Sequence, residues 1–275
     1  MKTGQIHGLF TAIVLCLTII PVVSAQETDS IYQAYQEADN VWRIVEDKTV
    51  NIYLIQGKDS ALVIDTGYGR GDLKKLLQSI TELPLIIVNT HGHGDHIGSD
   101  SQFPRIYMHP KDFELYHAST KRGAASDIPG PDLIPLREGH VFDLGGRKLE
   151  VMEVPGHTAG SICLVDKNDR MLFAGDHINA VVWLFLDTCL PLEVYMSSLE
   201  KIQKQLENFD TIMPGHNEPL DKTYLKELMT CVQSILDGTC QSEPYNYSRI
   251  SEGARMCKYK RAQVAYDPDK LFVDK

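Results

Sequence analysis

Residues 91–96 constrain this chain more strongly than any other segment. They place three imidazoles and one carboxylate directly after Leu85–Val88, an apolar run typical of a buried strand. Imidazole and carboxylate are the ligands that zinc prefers where no thiolate is present. Side chains two positions apart on an extended chain point the same way, so His91 and His93 can converge on one ion. The bend past Gly94 can turn the next two ligands toward a second ion, and the segment therefore indicates a two-metal site.

Three later loops carry further metal-binding side chains, and each follows an apolar run. A single histidine after a glycine is usually an ordinary turn residue, so each loop alone says little. Together with residues 91–96, these loops supply the ligands that a two-metal site still lacks. The loops are Pro155-Gly156-His157-Thr158, Ala174-Gly175-Asp176-His177 and Pro214-Gly215-His216-Asn217.

The composition limits the partners of such a site. The chain of 275 residues carries 27 Lys and Arg against 37 Asp and Glu, which gives a net charge of −10. Nucleic-acid binding needs clustered cations that neutralise phosphates, so this acidic balance argues against a nuclease. With 43% hydrophobic residues, the chain has the composition of a soluble globular protein and can bury a sizeable core. We expect a small-molecule substrate and no nucleic acid, and the oligomeric state stays open.

The N-terminus predicts export. Lys2 precedes an apolar run over residues 9–23, and Val23-Ser24-Ala25 supplies the small residues that a signal peptidase requires. The alternative is an uncleaved membrane anchor, but the run is shorter than the ~20 residues of a span, and Pro21 suits a cleavage region better. Residues 1–25 are therefore predicted to be a cleaved signal peptide. The mature protein would begin at Gln26, be secreted or periplasmic, and have no stable membrane insertion.

Beyond the signal, short β-rich runs alternate with helical ones, which predicts an α/β protein. We expect a catalytic domain over residues 26–236. The pattern weakens after that, so residues 237–275 are expected to form a tail packed on the core. Residues 124–135 are rich in Gly and Pro and predict a loop. Helices are predicted at 72–80, 111–117, 192–208 and 221–236, and strands at 41–45, 51–56, 61–64, 85–88, 105–108, 141–144, 148–154, 161–165, 171–174, 211–213 and 263–266.

The cysteines predict one disulfide at most. After signal cleavage five of the 6 cysteines remain, and an odd number cannot all pair within one chain. Cys163 lies in an apolar stretch and is expected to be a buried free thiol. Cys231, Cys240 and Cys257 could supply one bridge in an oxidising compartment. The pair Cys231–Cys240 is the first expectation, although the sequence leaves the pairing open.

The four histidine- and aspartate-bearing loops, together with Asp65-Thr66-Gly67, resemble the metallo-β-lactamase superfamily in both content and order. The resemblance covers roughly residues 40–220. It implies an αβ/βα sandwich in which two mixed β-sheets are flanked by helices, with the site along one edge of the packed sheets. It also implies that Asp65 is a buried acid that orients the metal ligands. The ligands so implied are His91, His93 and His157 for a first zinc ion, Asp95, His96 and His216 for a second, and Asp176 as a bridge between the two.

A bridging carboxylate at the position of Asp176 resembles the ligand set of glyoxalase II and the lactonases. Enzymes that hydrolyse β-lactams typically lack this carboxylate. The resemblance implies a hydrolase in which two Zn²⁺ ions lower the pKa of a shared water, so that hydroxide attacks the carbonyl of a lactone, ester or thioester. Asp95 is the candidate catalytic residue, because a ligand with a spare oxygen can accept the proton. Its alternative role is that of a ligand only.

Two alternatives to this activity are kept. One is a β-lactam hydrolase, and the other is an iron-dependent persulfide dioxygenase that uses a single iron. His177 matches no ligand position and is expected at the rim of the site at most. Residues 178–186 follow Asp176 and are apolar enough to line a substrate pocket, or equally to form an ordinary buried element.

Overall fold

The computed structural model describes residues 31–121 and 130–273. The predicted signal peptide and the predicted mature N-terminus at Gln26 lie outside these ranges and stay predictions. Within the two described ranges, none of the helices has the length and apolar character that a membrane span requires.

The first sheet has seven strands in the order of the chain. Its first four strands pair antiparallel and its last four pair parallel, so the fourth strand belongs to both patterns. The third and fourth strands are almost entirely buried, as their continuous apolar sequence predicts. The strands are β1 (Tyr32–Ala38), β2 (Val41–Glu46), β3 (Val50–Gln56), β4 (Ala61–Ile64), β5 (Leu85–Val88), β6 (Arg105–Met108) and β7 (Asp132–Pro135).

The second sheet has six strands, in the order β14-β13-β11-β10-β9-β8. Only β11 and β13 run parallel to each other, and the other pairs are antiparallel. The strands are β8 (Val141–Asp143), β9 (Lys148–Glu153), β10 (Ile162–Asp166), β11 (Met171–Gly175), β13 (Thr211–Pro214) and β14 (Leu220–Asp221).

The two sheets pack face to face, and helices cover their outer faces. Between the sheets, the rings of Tyr53 and Phe173 meet edge-on with their centroids 5.1 Å apart. Buried leucines of the first helix pack on the first sheet, and the two long helices pack on the second. This αβ/βα sandwich confirms the predicted fold class. The helices are α1 (Leu73–Ile80), α2 (Phe113–Lys121), α3 (Leu192–Gln203) and α4 (Tyr224–Leu236).

A third sheet of four strands was not predicted. Its order is β12-β17-β16-β15, so a strand that follows Asp176 directly pairs with the C-terminal segment of the chain. Only 263–266 was predicted as a strand here. β15 has two residues, charged residues hide the apolar alternation of β16, and the apolar run that contains β12 was equally compatible with a strand or a helix. The strands are β12 (Val181–Leu184), β15 (Glu243–Pro244), β16 (Arg255–Tyr259) and β17 (Ala262–Tyr266).

Two other expectations were wrong. Residues 132–135, predicted as part of a loop, form β7 at the edge of the first sheet. The disulfide joins Cys240 to Cys257, with Cα atoms 6.2 Å apart, and not Cys231 to Cys240. Cys231 lies inside α4 and points into the core, whereas Cys240 follows the end of that helix and reaches β16. Cys163 is a buried free thiol, as predicted.

Candidate metal centre

The predicted metal ligands all lie in loops that follow strands. Residues 91–96 follow β5 of the first sheet, whereas His157, Asp176 and His216 follow β9, β11 and β13 of the second. Because the two sheets are packed together, these strand ends meet at one edge of the sandwich. The structure brings all seven predicted ligands together there.

The first three ligands place ring nitrogens around one point. His91 Nε2 lies 3.1 Å from His93 Nδ1, and His157 Nε2 lies 3.0 Å from the same His93 nitrogen. Nitrogens held at 2.0–2.1 Å by one tetrahedral zinc ion lie about 3.3 Å from each other, so this spacing is close to that of a single ion's ligands.

The second three ligands form a similar group. The Oδ2 atom of Asp95 lies 3.3 Å from His216 Nε2 and 3.7 Å from His96 Nε2. His96 is fully buried, whereas the side chains of Asp95 and His216 are 28% and 23% exposed. This group is therefore the more accessible of the two.

Asp176 lies between the two groups. Its Oδ1 is 3.3 Å from His96 Nε2, and its Oδ2 is 3.4 Å from His216 Nε2 and 3.6 Å from His157 Nε2. Gly215 makes this approach possible, because a Cβ atom there would lie 2.3 Å from Asp176 Oδ1. One carboxylate thus reaches both groups.

The donor set fits a pair of divalent metal ions. His96 Nε2 is buried and makes no hydrogen bond to any described residue, although carboxylate oxygens lie 3.3 and 3.7 Å away. A buried polar atom without a partner is costly, and a metal ion is the partner that imidazoles and carboxylates share. The residues therefore form the metal-binding His/Asp site typical of dinuclear enzymes.

Asp65 orients the ligands His96 and His91 through their outward ring nitrogens, the second by way of Thr90. Its carboxylate is 2% exposed, accepts from Thr90 N and Thr90 Oγ1, and pairs with His96 Nδ1 at 2.9 Å. Thr90 Oγ1 in turn lies 3.0 Å from His91 Nδ1. The prediction that Asp65 is a buried acid orienting the ligands is confirmed, with Thr90 as an intermediary that the sequence did not reveal.

The other rings are oriented by partners on their outward nitrogens. His157 Nδ1 donates to the carbonyl of Trp183 at 2.9 Å, and His216 Nδ1 donates to the carbonyl of Thr49 at 2.8 Å. A ring nitrogen that donates outward leaves the inward Nε2 as an unprotonated acceptor when the ring is neutral. The backbone therefore sets the tautomer that a metal ligand requires.

Asp112 joins the loops that carry the first three ligands, and sequence reasoning missed it. The carboxylate is 1% exposed and accepts from Gly92 N at 3.0 Å, Gly160 N at 2.7 Å and Thr158 Oγ1 at 2.6 Å. Gly92 lies between two ligands, and Thr158 follows a third. One buried carboxylate thus holds a loop of the first sheet against a loop of the second.

We predict that Asp112→Asn lowers the affinity for the first metal ion by about 10- to 100-fold, because an amide nitrogen would replace one acceptor oxygen facing three donors. Zinc titration with a competing chelator measures this. Asp166→Asn is the matched control: Asp166 is equally buried but pairs with Arg147, so its loss should reduce stability while leaving zinc affinity within about twofold. An equal loss of zinc affinity in both variants would contradict the role of Asp112.

Two histidines of each group have shifted pKa values, and the shifts of the two pairs run in opposite directions. Burial, reinforced by neighbouring imidazoles, lowers the pKa of His91 well below its usual range and that of His93 to about 3. Burial opposes protonation of His96 and His216 too, but the carboxylates around them outweigh it. Asp176, Asp95 and Asp65 raise the pKa of His96 well above its ordinary value, and the first two raise that of His216 to about 10.

His177 belongs to none of the groups of metal ligands, as expected, but its position differs from the rim position considered for it. The ring is buried beneath the site, 4.6 Å from the ring of Tyr195, and is not at the rim. Burial lowers its pKa to about 3, and its ring nitrogens hydrogen-bond to no described residue. Strand β11 ends at Gly175, and the next two side chains point in different directions: Asp176 reaches the ligands and His177 faces α3.

Residues 178–186 divide between the two expected roles. Ile178, Val182 and Leu184 belong to the core beneath α3 and α4, so part of the segment is an ordinary buried element. Trp183 lies on the opposite face, and its carbonyl contacts the ring of His157. Further along, Thr188 Oγ1 lies 2.9 Å from His93 Nε2. The segment therefore borders the site along one edge.

Two groups of three ligands joined by one carboxylate, at the edge of an αβ/βα sandwich, define a class of metal-dependent hydrolases. The family profile of the metallo-beta-lactamase superfamily matches residues 45–216, and the chain belongs to that superfamily.

Individual proteins of known sequence or structure are also similar to this chain. The acyl-coenzyme A thioesterase MBLAC2 of Homo sapiens is 31% identical over 205 residues, which cover 60% of this chain and 72% of that protein. A metallo-beta-lactamase from Pontibacter korlensis shares the fold, with a TM-score of 0.60 and 19% identity over 74% of this chain and 99% of that chain. The crystal structure of TTHA1623 in a di-iron-bound form gives a TM-score of 0.51 and 27% identity, over 65% of this chain and 93% of that chain.

Proposed function

We propose that the protein is an exported hydrolase that uses two zinc ions to cleave lactones, esters or thioesters. The observation that carries the proposal is the position of Asp176, whose two oxygens reach both groups of ligands. The relationship to an acyl-coenzyme A thioesterase supports a thioester or ester bond. The Cys240–Cys257 disulfide supports export, because such bridges persist in oxidising compartments.

Each ligand has a place in this proposal. His91, His93 and His157 would hold the first ion, Asp95, His96 and His216 would hold the second, and Asp176 would contribute an oxygen to each. Two such ions polarise a substrate carbonyl and lower the pKa of a water molecule.

Asp95 is proposed to accept the proton. Its side chain is 28% exposed, compared with 12% for Asp176 and 2% for Asp65, so it is the site carboxylate that substrate and water reach most readily. Burial opposes its ionisation, but His96 and His216 lower its pKa to about 2. It is therefore ionised at neutral pH, as a metal ligand must be, and its role as proton acceptor rests on its accessibility.

The test begins with metal content. Protein purified without chelator should hold close to two zinc ions per chain, measured by inductively coupled plasma mass spectrometry. One iron per chain would support the persulfide alternative, and a single zinc that cannot be raised to two would exclude the dinuclear site.

The same protein is then given a panel of aryl esters, thioesters and lactones beside a chromogenic cephalosporin. A departing oxygen or sulfur can bind a metal directly, whereas a strained amide nitrogen is a poorer ligand until it is protonated. The best ester, thioester or lactone should exceed the cephalosporin in kcat/KM by at least about tenfold, or roughly 1.4 kcal/mol. A cephalosporin that is the better substrate would replace the proposal with β-lactam hydrolysis.

A further inference from the structure

A group of aromatic side chains, here called the aromatic patch, lies on the outer face of the third sheet. It consists of Trp183, Phe185, Tyr245 and Tyr247. The ring of Trp183 lies 5.2 Å from that of Phe185 and 4.7 Å from that of Tyr247, and Tyr245 stacks on Tyr247 at 6.3 Å. Tyr247 is 64% exposed, and nearby Ile250 is 59% exposed. Phe185 is 7% exposed and Trp183 and Tyr245 are half-buried, so the patch is a packed aromatic cluster whose exposed side is formed by Tyr247. Exposed apolar surface beside a site is a candidate for ligand contact.

The two faces of the third sheet differ in what covers them. Val182, Leu184 and Val264 pack into the core beneath the long helices. On the other face, Trp183 pairs with Ala265 of β17. Ala265 is fully buried, and its small side chain leaves room for the rings of the aromatic patch. Within the described ranges, no helix covers this aromatic face.

The loop that presents Tyr247 and Ile250 is held in place. Ser251 is 2% exposed, and its Oγ accepts from Tyr247 N at 3.0 Å and Ser248 N at 3.1 Å while donating to Ser248 O at 2.8 Å. The Cys240–Cys257 disulfide ties the adjoining strand to the end of α4. A surface that is fixed before binding loses little entropy when a ligand arrives.

The aromatic patch adjoins the metal centre through a single residue. Trp183 supplies a ring to the patch and a carbonyl to the ligand His157, 2.9 Å away. Strand β12 is the edge strand of its sheet, so its unpaired edge borders the metal site while its outer face carries the patch. Thr188, further along the same segment, contacts the ligand His93. The patch thus lies behind one metal ligand, and only a long side group of a substrate held at the metals would reach it.

The chemistry of the patch selects an apolar group. The rings offer large apolar faces, and two cations of the same hairpin are engaged elsewhere: Arg255 bonds Ser242, and Lys258 pairs with Glu243. We propose that the aromatic patch binds the apolar acyl group of the substrate, so that the protein prefers medium-chain or aryl acyl esters and thioesters to acetyl ones. This inference rests on the proposed function and names the substrate class of that same site.

The test uses the zinc-loaded protein and p-nitrophenyl esters from acetyl to octanoyl. A fully buried methylene is worth about fourfold in binding, so six added methylenes on an open patch should raise kcat/KM by at least about thirtyfold. Tyr247→Ala should lower the octanoyl-to-acetyl ratio at least about threefold, and Tyr247→Ala/Ile250→Ser at least about tenfold. Both residues are exposed, so neither change removes core packing.

Tyr259→Ala is the matched control, because Tyr259 is also an exposed tyrosine, 39% accessible, but lies at the far end of β16. Its octanoyl-to-acetyl ratio should stay within about twofold of the parent protein. A ratio that is flat in the parent protein, or equally affected by Tyr247→Ala and Tyr259→Ala, overturns the inference. So does a dimer that Tyr247→Ala converts to monomers with no change in the ratio, because the patch would then bind a second copy.

A binding measurement separates this inference from the proposed function. Trp183 is one of 2 tryptophans, so in a Trp42→Phe background its fluorescence reports on the patch alone. Octanoate should change this fluorescence at concentrations at least about tenfold lower than acetate does, and Tyr247→Ala should reduce the difference. If no ester or thioester is cleaved but octanoate still binds selectively, the proposed reaction fails and the apolar binding site stands. If esters are cleaved but octanoate shows no preference, the inference alone fails.

Discussion

Asp176→Asn is expected to lower kcat/KM for the best ester or thioester by at least about 10³-fold and to reduce bound zinc from two ions to one or fewer. The two carboxylate oxygens face His96 on one side and His157 and His216 on the other. Asparagine has nearly the same shape but carries one neutral oxygen, and its amide nitrogen cannot bind a metal. The change therefore removes both the shared ligand and its negative charge at almost constant volume.

Activity, zinc content and thermal unfolding by circular dichroism are measured together. Asp143→Asn is the control, since Asp143 is the last residue of β8 and its side chain is 54% exposed, and it should leave all three values unchanged. His91→Ala should reduce activity about as much as Asp176→Asn, and the two losses should not add, because both residues act through one centre. A variant that keeps two zinc ions and activity within about tenfold of the parent would show that Asp176 is not the bridge. Loss of the cooperative unfolding transition would show that the site is structural.

The second large effect concerns pH. Zinc affinity at the second group of ligands should rise by about 10- to 100-fold per pH unit between pH 7 and 8.5. In the metal-free protein the surrounding carboxylates raise the pKa of His216 to about 10, so His216 is protonated in this range, and they also raise the pKa of His96, which favours its protonated form. A protonated ring cannot bind a metal, and each proton that must leave contributes a factor of about ten per pH unit. Affinity therefore increases with pH until pH approaches these pKa values.

The first group should behave differently, because the pKa values of His91 and His93 are lowered and these rings are neutral above pH 7. Two variants isolate the groups: His91→Ala disables the first, and His216→Ala disables the second. Isothermal titration calorimetry in buffers of different ionisation enthalpy counts the protons released. One to two protons should leave when His91→Ala binds zinc at pH 7.5, and fewer when His216→Ala does. Equal proton release from the two variants would contradict the charge difference between the groups.

The sequence identified the residues that meet at the site better than it identified the residues that hold them in place. Each of the seven ligands lies in a short loop directly after an apolar strand, so the motif and its position are both readable. No sequence motif marks Asp112, because its role depends on the backbone amides of Gly92 and Gly160, which tertiary structure brings together. The same holds for Thr90 and Thr188, which are unremarkable until tertiary structure places them beside a ring.

The third sheet was missed for a related reason. Strands β12 and β17 pair in parallel although about 80 residues separate them, and local patterns do not reveal so distant a partner. The disulfide expectation failed because helical geometry turns Cys231 into the core, away from Cys240. Periodicity indicated a helix there but did not identify the partner across the chain. Elements with continuous apolar runs, such as β3, β4 and β5, were predicted to within a residue or two.

Because the ligands come from both sheets, the protein can bind its metal pair only after it has folded. Residues from His91 to His216 come together only after the two sheets have packed, so an unfolded chain offers at most the local cluster at residues 91–96. Metal that binds only the folded state stabilises it but cannot direct the early steps of folding. A chain that crosses a membrane unfolded, as the proposed export signal implies, would arrive without its metal pair. It would then depend on the zinc available outside the cell rather than on the supply in the cytosol.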